Sequence, residues 1–253
     1  MFNDKRYLEV NREERFFCSL FAHSLLMSQQ VRDKFAARLS EKLSISLDPY
    51  TLEVYVEAAA LRDYWSDLGN PRVYTEETHT KRRNVLKLIL ELELFKLPAY
   101  TLDKYDLFWT SDNGKRGRKL WNPNRWSDKE LEQIGLEDTK LKDLKSVKWA
   151  FNAKPDILLI SRSTVLLIEA KLESGEGKKK GTGYEQYETL KLIAVLWKLL
   201  IPKFSGKNFH ITTLELKPTE KNITWQDILN LVKDTDVDSF SRDSLRQLQR
   251  YYT

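Results

Sequence analysis

The chain has a single cysteine, Cys18, so no intrachain disulfide can form and a zinc site of the multi-cysteine kind is excluded. A reducing compartment is the expectation. Histidine is also scarce: His23, His79 and His210 show no metal-ligand spacing and read as structural. No run of about 18 apolar residues occurs, so the sequence predicts no membrane-spanning helix. Met1-Phe2-Asn3-Asp4-Lys5-Arg6 is polar and leads into no apolar stretch, which predicts no signal peptide there. Internal repeats and low-complexity tracts are missing as well. Together these absences predict a soluble cytoplasmic protein.

What is present is a globular balance. Hydrophobic residues make up 41% and charged residues 31% of 253 positions, and 7 Trp, 11 Tyr and 11 Phe argue against extended disorder. That length allows one large domain or two modest ones. Lys and Arg number 42 against 37 Asp and Glu, and the resulting +5 suits a nucleic-acid partner without requiring one.

The first half reads mostly as helix. Residues 12–39 carry Phe16, Phe17, Leu20, Phe21, Leu25 and Leu26 at helical spacing. Residues 51–68 follow with Val54, Val56, Ala58, Ala59, Leu61 and Trp65, closed by Gly69-Asn70-Pro71. Residues 80–97 are predicted helical up to Pro98. Residues 99–145 are less regular, and turn signals flank the basic run 115–119, which precedes Trp121 and Trp126.

The second half changes character. Residues 155–161 and 164–172 are strand-length apolar runs, and Ser161-Arg162-Ser163 between them suits a hairpin turn. A glycine- and lysine-rich loop spans 173–183, a helix 184–201 and a strand 208–216. Thr224-Trp225-Gln226-Asp227 has the spacing of a capping box opening a helix at 225–233, and 240–251 reads as a polar helix. The expectation is an α/β protein. A mostly helical region, 1–145, gives at least one helix to a core over 146–253, the whole forming one compact unit.

One constellation carries chemistry. Hydrolysis of a phosphodiester needs charge neutralisation at the scissile phosphate, which a divalent cation held by one or two carboxylates supplies. Asp156 begins the first apolar strand, and Glu169 and Lys171 end the second on one face, with Val165 and Leu167 on that face too. An antiparallel hairpin brings Asp156 beside Glu169. The bland alternative is a pair of strand-end charges matched across the sheet. Against it, charges bordered by Val165-Leu166-Leu167-Ile168 and Leu172 are costly without a task.

Pro155-Asp156, the intervening residues 157–168 and then Glu169-Ala170-Lys171 resemble the signature of the PD-(D/E)xK nucleases, the restriction-endonuclease-like superfamily, over roughly 146–235. The resemblance implies a mixed sheet flanked by helices, and hydrolysis of DNA or RNA, with DNA ahead of RNA as partner. It implies Mg²⁺ or Mn²⁺ on Asp156 and Glu169, and Lys171 assisting the water. Gln186, one turn before Leu190 on the stripe Leu190, Ile193, Ala194, Trp197 and Ile201, is similar to the glutamine that follows the E-x-K strand in many members. Those members often carry Tyr four residues later, where this chain has Leu190. The superfamily also often uses an acid from an early helix. Glu14 is the first choice, with Glu13 and Glu57 as alternatives.

Basic loops complete the expectation. Lys178, Lys179 and Lys180 lie among Gly175, Gly177, Gly181 and Gly183 and are candidates for gripping a phosphate backbone, against the alternative of a solvated turn. Residues 115–119 with Trp121 and Trp126 combine charge with stacking surfaces. A catalytically degenerate nucleic-acid-binding or regulatory module of the same fold is the rival reading, and a homo-oligomer stays open.

Overall fold

Ser28 divides what the sequence reads as one long helix. In a computed structural model, which describes residues 5–70, 75–98, 100–101, 123–172 and 186–252, helix α1 is Lys5–Met27 and α2 is Gln29–Leu43. Ser28 is extended, with φ −121° and ψ 117°, and its side chain accepts from the Val31 amide as the cap of α2. Apolar periodicity continues across the break, so it hides the cap. The side chains of residues 5–13, Arg125 and Gln186 lie outside the described set.

A second correction falls on 51–68. Residues Glu53–Val56 form strand β1, and only Ala60–Asp67 form a helix, α3. Val54 and Val56 alternate with Glu53 and Tyr55 in exposure, which is the period of an edge strand with one half-buried face. Helix α4 is Glu76–Leu90 rather than 80–97, capped by Thr75. The chain continues with α5, Asp128–Glu132, and α6, Asp138–Asn152. Then come β2, Ile157–Ile160; β3, Thr164–Ala170; α7, Gln186–Leu200; and β4, Asn208–Glu215. The last elements are β5, Asn222–Thr224; α8, Trp225–Lys233; and α9, Ser239–Arg246, followed by a 3₁₀ segment, Gln247–Tyr251. Helix α9 is shorter than the predicted 240–251, and β5 had no separate signal beside the capping box.

The chain divides into two compact units, each drawing on both halves of the sequence. The first comprises Met1–Ala58, Lys154–Gly181 and Gly206–Thr253; the second comprises Ala59–Ala153 and Thr182–Ser205.

The first unit holds a mixed sheet in the order β1-β2-β3-β4-β5. β1, β2 and β3 are antiparallel neighbours, while β3, β4 and β5 run parallel. Every residue of β2 and β3 is buried, as their uninterrupted apolar runs require. One face meets the helices: Ile157, Leu159, Leu166, Ile168 and Ala170 share a core with Phe17, Phe21 and Leu25 of α1, Phe35 and Leu39 of α2, and Trp225 and Ile228 of α8. Phe21 meets Phe35 edge-on with ring centres 5.1 Å apart.

Asp227 ties α2 to α8. It forms the predicted capping box with Thr224 and accepts from Arg38 Nη2 at 2.7 Å and Lys42 Nζ at 3.1 Å. Burial alone would raise its pKa, but the Thr224 amide, Arg38 and Lys42 outweigh it and bring it down to about 2. A depressed folded pKa gives stability that is present above the unfolded value and lost as pH falls through the folded one. Acid denaturation should therefore draw about 1–2 kcal/mol from this carboxylate between roughly pH 4 and pH 2, after discounting for solvent at Arg38. Asp227→Ala should cost about 3 kcal/mol at pH 7 by urea denaturation, because it strands Lys42 and the Thr224 amide and leaves Arg38 with Glu41 alone. A loss under about 0.5 kcal/mol would contradict this role.

In the second unit, Trp65 packs edge-on against Phe151 at 5.4 Å, with the Arg82 guanidinium over its ring. Arg82 Nη2 donates to the Gly69 carbonyl at 2.9 Å. Trp197 of α7 stacks on Phe204 at 5.3 Å. Trp126 is 1% exposed, so its ring is part of a core and is not a surface on which a base could stack. Its proposed partners at 115–119 and Trp121 lie outside the described residues.

Candidate functional site

The end of β3 is where backbone amides run out of strand partners, and carboxylates take their place. Ile157 pairs with Ile168 across the hairpin, so Asp156, one step earlier, stands opposite Glu169. The Asp156 Oδ2 atom accepts from the Ala170 amide at 2.7 Å. Two residues on, the Leu172 amide donates to Glu14 Oε2 of α1 at 3.1 Å. The amide between them, Lys171, donates instead to the Leu214 carbonyl of β4 at 2.8 Å. Trp225 Nε1 donates to the Lys171 carbonyl at 3.2 Å. Helix α1, the hairpin and β4 are thus fastened at one point, and two acids are part of the fastening.

Glu169 is buried at 7% exposure on the face shared by Val165 and Leu167, opposite the helix-covered face. Lys171 Nζ lies 2.8 Å from Glu169 Oε1, so the two share one face as their spacing predicts. Strand pairing extends the row. Val56 of β1 pairs with Ile157, and the Glu57 amide donates to the Asp156 carbonyl at 3.2 Å. Glu57, Asp156 and Glu169 therefore stand side by side across β1, β2 and β3. Glu57 is not in a helix, as the sequence reading had it: it follows β1 with φ +50°, and its carboxylate pairs with Arg15 Nε at 2.9 Å.

The electrostatics follow from burial. Burial pushes the Glu14 carboxyl up to about 7; Asp156 and Glu169 add to the shift, against the pull of Lys171 and the Leu172 amide. Asp156 is raised by burial and by Glu57, against the Ala170 amide, Lys171 and Arg15. For Lys171, burial works downward, but Glu169, Glu14 and Asp156 turn the net shift upward, holding it as an ammonium. Cys18, one turn after Glu14, is pushed well up by burial and by Asp156, Glu14 and Glu169, and stays a neutral thiol.

A cluster built this way works against the stability of the chain. Glu14→Gln keeps an acceptor for the Leu172 amide and removes a buried like charge. It should stabilise the cation-free protein at pH 8 by about 2 kcal/mol, or about 4–8 °C in Tm. Equal or lower stability would mean that the Glu14 charge is structurally favourable.

The donor chemistry suits Mg²⁺ or Mn²⁺. Asp156 and Glu169 are hard oxygen donors, and Asp156 Oδ1 receives no hydrogen bond among the described residues. Among those residues no group of three or more His, Cys, Asp and Glu side chains is placed as a metal cage. One or two carboxylates completed by water and substrate oxygens is the usual Mg²⁺ mode, and the arrangement fits that mode rather than a cage.

The structure brings together Asp156, Glu169, Lys171 and Glu14, and adds Glu57 with Arg15. Glu13 has no described side chain. Lys178, Lys179 and Lys180 lie outside the described residues. Gln186 opens α7 in the other unit, and its side chain is likewise outside them. Arg15 carried no signal in the sequence, since an arginine after Glu14 at the edge of an apolar stripe looks like any solvated helix residue. No family model matches the chain, and no curated protein or solved structure does either.

Proposed function

We propose that the chain is a metal-dependent nuclease of the PD-(D/E)xK type, with a restriction-endonuclease-like core formed by the first unit. The observation that supports this best is the convergence of Asp156, Glu169 and Lys171 at one end of a buried hairpin, with Glu14 delivered from α1. Buried acids that raise one another's pKa are a poor choice for structure and a good one for function.

Asp156 and Glu169 would hold Mg²⁺ or Mn²⁺, which when bound supplies Lewis acidity at the scissile phosphate and a more acidic water. The chain's own residues do the rest. The Ala170 amide fixes one Asp156 oxygen and so aims the other. Lys171, kept cationic by three acids, stabilises the extra negative charge of the phosphoryl oxygens in the transition state. Glu14, its carboxyl pushed up to about 7 by burial, can take or return a proton near neutral pH. DNA is the first substrate to test, and RNA the second.

One observation favours the rival reading of a binding module without catalysis. Lys171 is already bonded to Glu169, and such a neutralised pair is what a degenerate site would keep. The test is to titrate the purified chain with Mn²⁺ and then add nucleic acid. One saturable cation site whose loading switches on strand cleavage is expected. A chain that binds no cation and cleaves nothing loses the proposal, and one that binds nucleic acid but never cleaves belongs to the rival.

A further inference from the structure

Among the described residues of the cluster, Lys171 is bonded to Glu169, and Arg15 is a second cation, paired with Glu57. Its position follows from the same elements. Glu14 is anchored at the end of β3 by the Leu172 amide, and Arg15 is its neighbour on α1. Glu57 stands beside Asp156 through the register of β1 and β2, and Arg15 Nε meets Glu57 Oε1 at 2.9 Å. Arg15 also acts electrostatically on Asp156, which places it at the rim of the acid row.

The manner of the pairing matters. Glu57 holds the guanidinium by Nε, and neither terminal nitrogen of Arg15 has a partner among the described residues. The Nη1–Nη2 edge left by that pairing is one of the two guanidinium edges that can meet a phosphate bidentately. The side chain is 59% exposed, so the guanidinium is accessible from solvent. Glu57 keeps a left-handed backbone, φ +50°, that an ordinary residue adopts only at a cost, and its carboxylate pairs with Arg15 Nε.

Resting on the nuclease reading, we propose that Arg15 is the residue that grips a backbone phosphate of the nucleic acid at the site. Glu57 is its positioning residue, turning the guanidinium edge-on to the substrate. The proposal predicts an inverted sign for Glu57. Removing an acid next to a polyanion ordinarily tightens binding; here it should weaken it, because the arginine loses its orientation.

The experiment measures fluorescence anisotropy of a short labelled duplex DNA in EDTA, where no cation supports cleavage. Arg15→Lys keeps the charge and loses the fork, and should weaken binding about 10-fold with an unchanged salt slope. Arg15→Ala should weaken it at least as much and lower the slope of log affinity against log salt by about 0.9. Glu57→Ala should weaken binding about 3-fold in the parent, and that weakening should disappear in the Arg15→Ala background, where only the loss of a negative charge is felt. Both side chains are exposed enough for the variants to fold, which circular dichroism checks. Parent-like affinity of Arg15→Lys, or a Glu57→Ala that tightens binding equally in both backgrounds, overturns the inference. If the parent still binds and cleaves, the nuclease reading survives that result. A parent with neither affinity for the duplex nor cleavage in Mn²⁺ removes the reading and the inference together.

Discussion

Asp156→Ala is expected to lower cleavage by at least about 10²–10³-fold and to remove Mn²⁺ binding, while the fold persists. Asp156 stands in the middle of the acid row, opposite Glu169 on one side and Glu57 on the other. The substitution also removes the acceptor for the Ala170 amide, which would blur a structural and a chemical effect. Asp156→Asn separates them: its side-chain oxygen still accepts from Ala170, but the charge is gone. Both variants should lose cleavage, and calorimetry should show cation affinity lost in both. Unchanged cation affinity in Asp156→Ala would contradict the assignment of the site.

Lys171→Ala is the second large effect, and it separates an enzyme from a binding module. The Lys171 ammonium, two residues beyond Glu169 on the same strand face, lies 2.8 Å from Glu169 Oε1, beside the carboxylates proposed to hold the cation and so next to where its phosphate would bind. Its contribution is greatest when the phosphoryl oxygens carry most charge, so kcat should fall by about 10²–10³-fold with substrate affinity nearly unchanged. Lys171→Arg should rescue poorly, because a planar guanidinium cannot occupy the point that Nζ occupies beside Glu169 Oε1. A binding module gives the reverse pattern: no cation-dependent cleavage in the parent, and a Lys171 effect on affinity alone.

The hairpin was legible because its signals are local. Two apolar runs around Ser161-Arg162-Ser163 fix β2 and β3, and the period of two then puts Glu169 and Lys171 on one face and Asp156 opposite Glu169. The capping box at Thr224 was equally local and opens α8 at Trp225. The element order of the second half, from strand through helix to strand and helix, follows from such signals, with β5 too short to register.

The first half was harder because its signals overlap. Leu52 to Val56 alternates as a strand, but the adjoining Ala58, Ala59 and Leu61 let a helical period run through it. Ser28 ends one helix and begins the next without disturbing the apolar repeat, so its cap is visible only in the backbone. Glu57 depends on this difference. Placed in a helix it is one acid among several, whereas at the end of β1 it joins Asp156 and Glu169 in a row. Arg15 becomes interesting only once Glu57 is seen to hold it. Such long-range pairings depend on strand order, and strand order is not written in any single segment.

The measurement that tests the central claim most directly is a single time course. Purified parent and Asp156→Asn are incubated side by side with single- and double-stranded DNA and RNA, in Mn²⁺ and again in EDTA. The account predicts that the parent cleaves at least one of the nucleic acids in Mn²⁺, that EDTA stops it, and that Asp156→Asn cleaves none. Intact nucleic acid in every parent lane, or cleavage that survives both EDTA and Asp156→Asn, would contradict it.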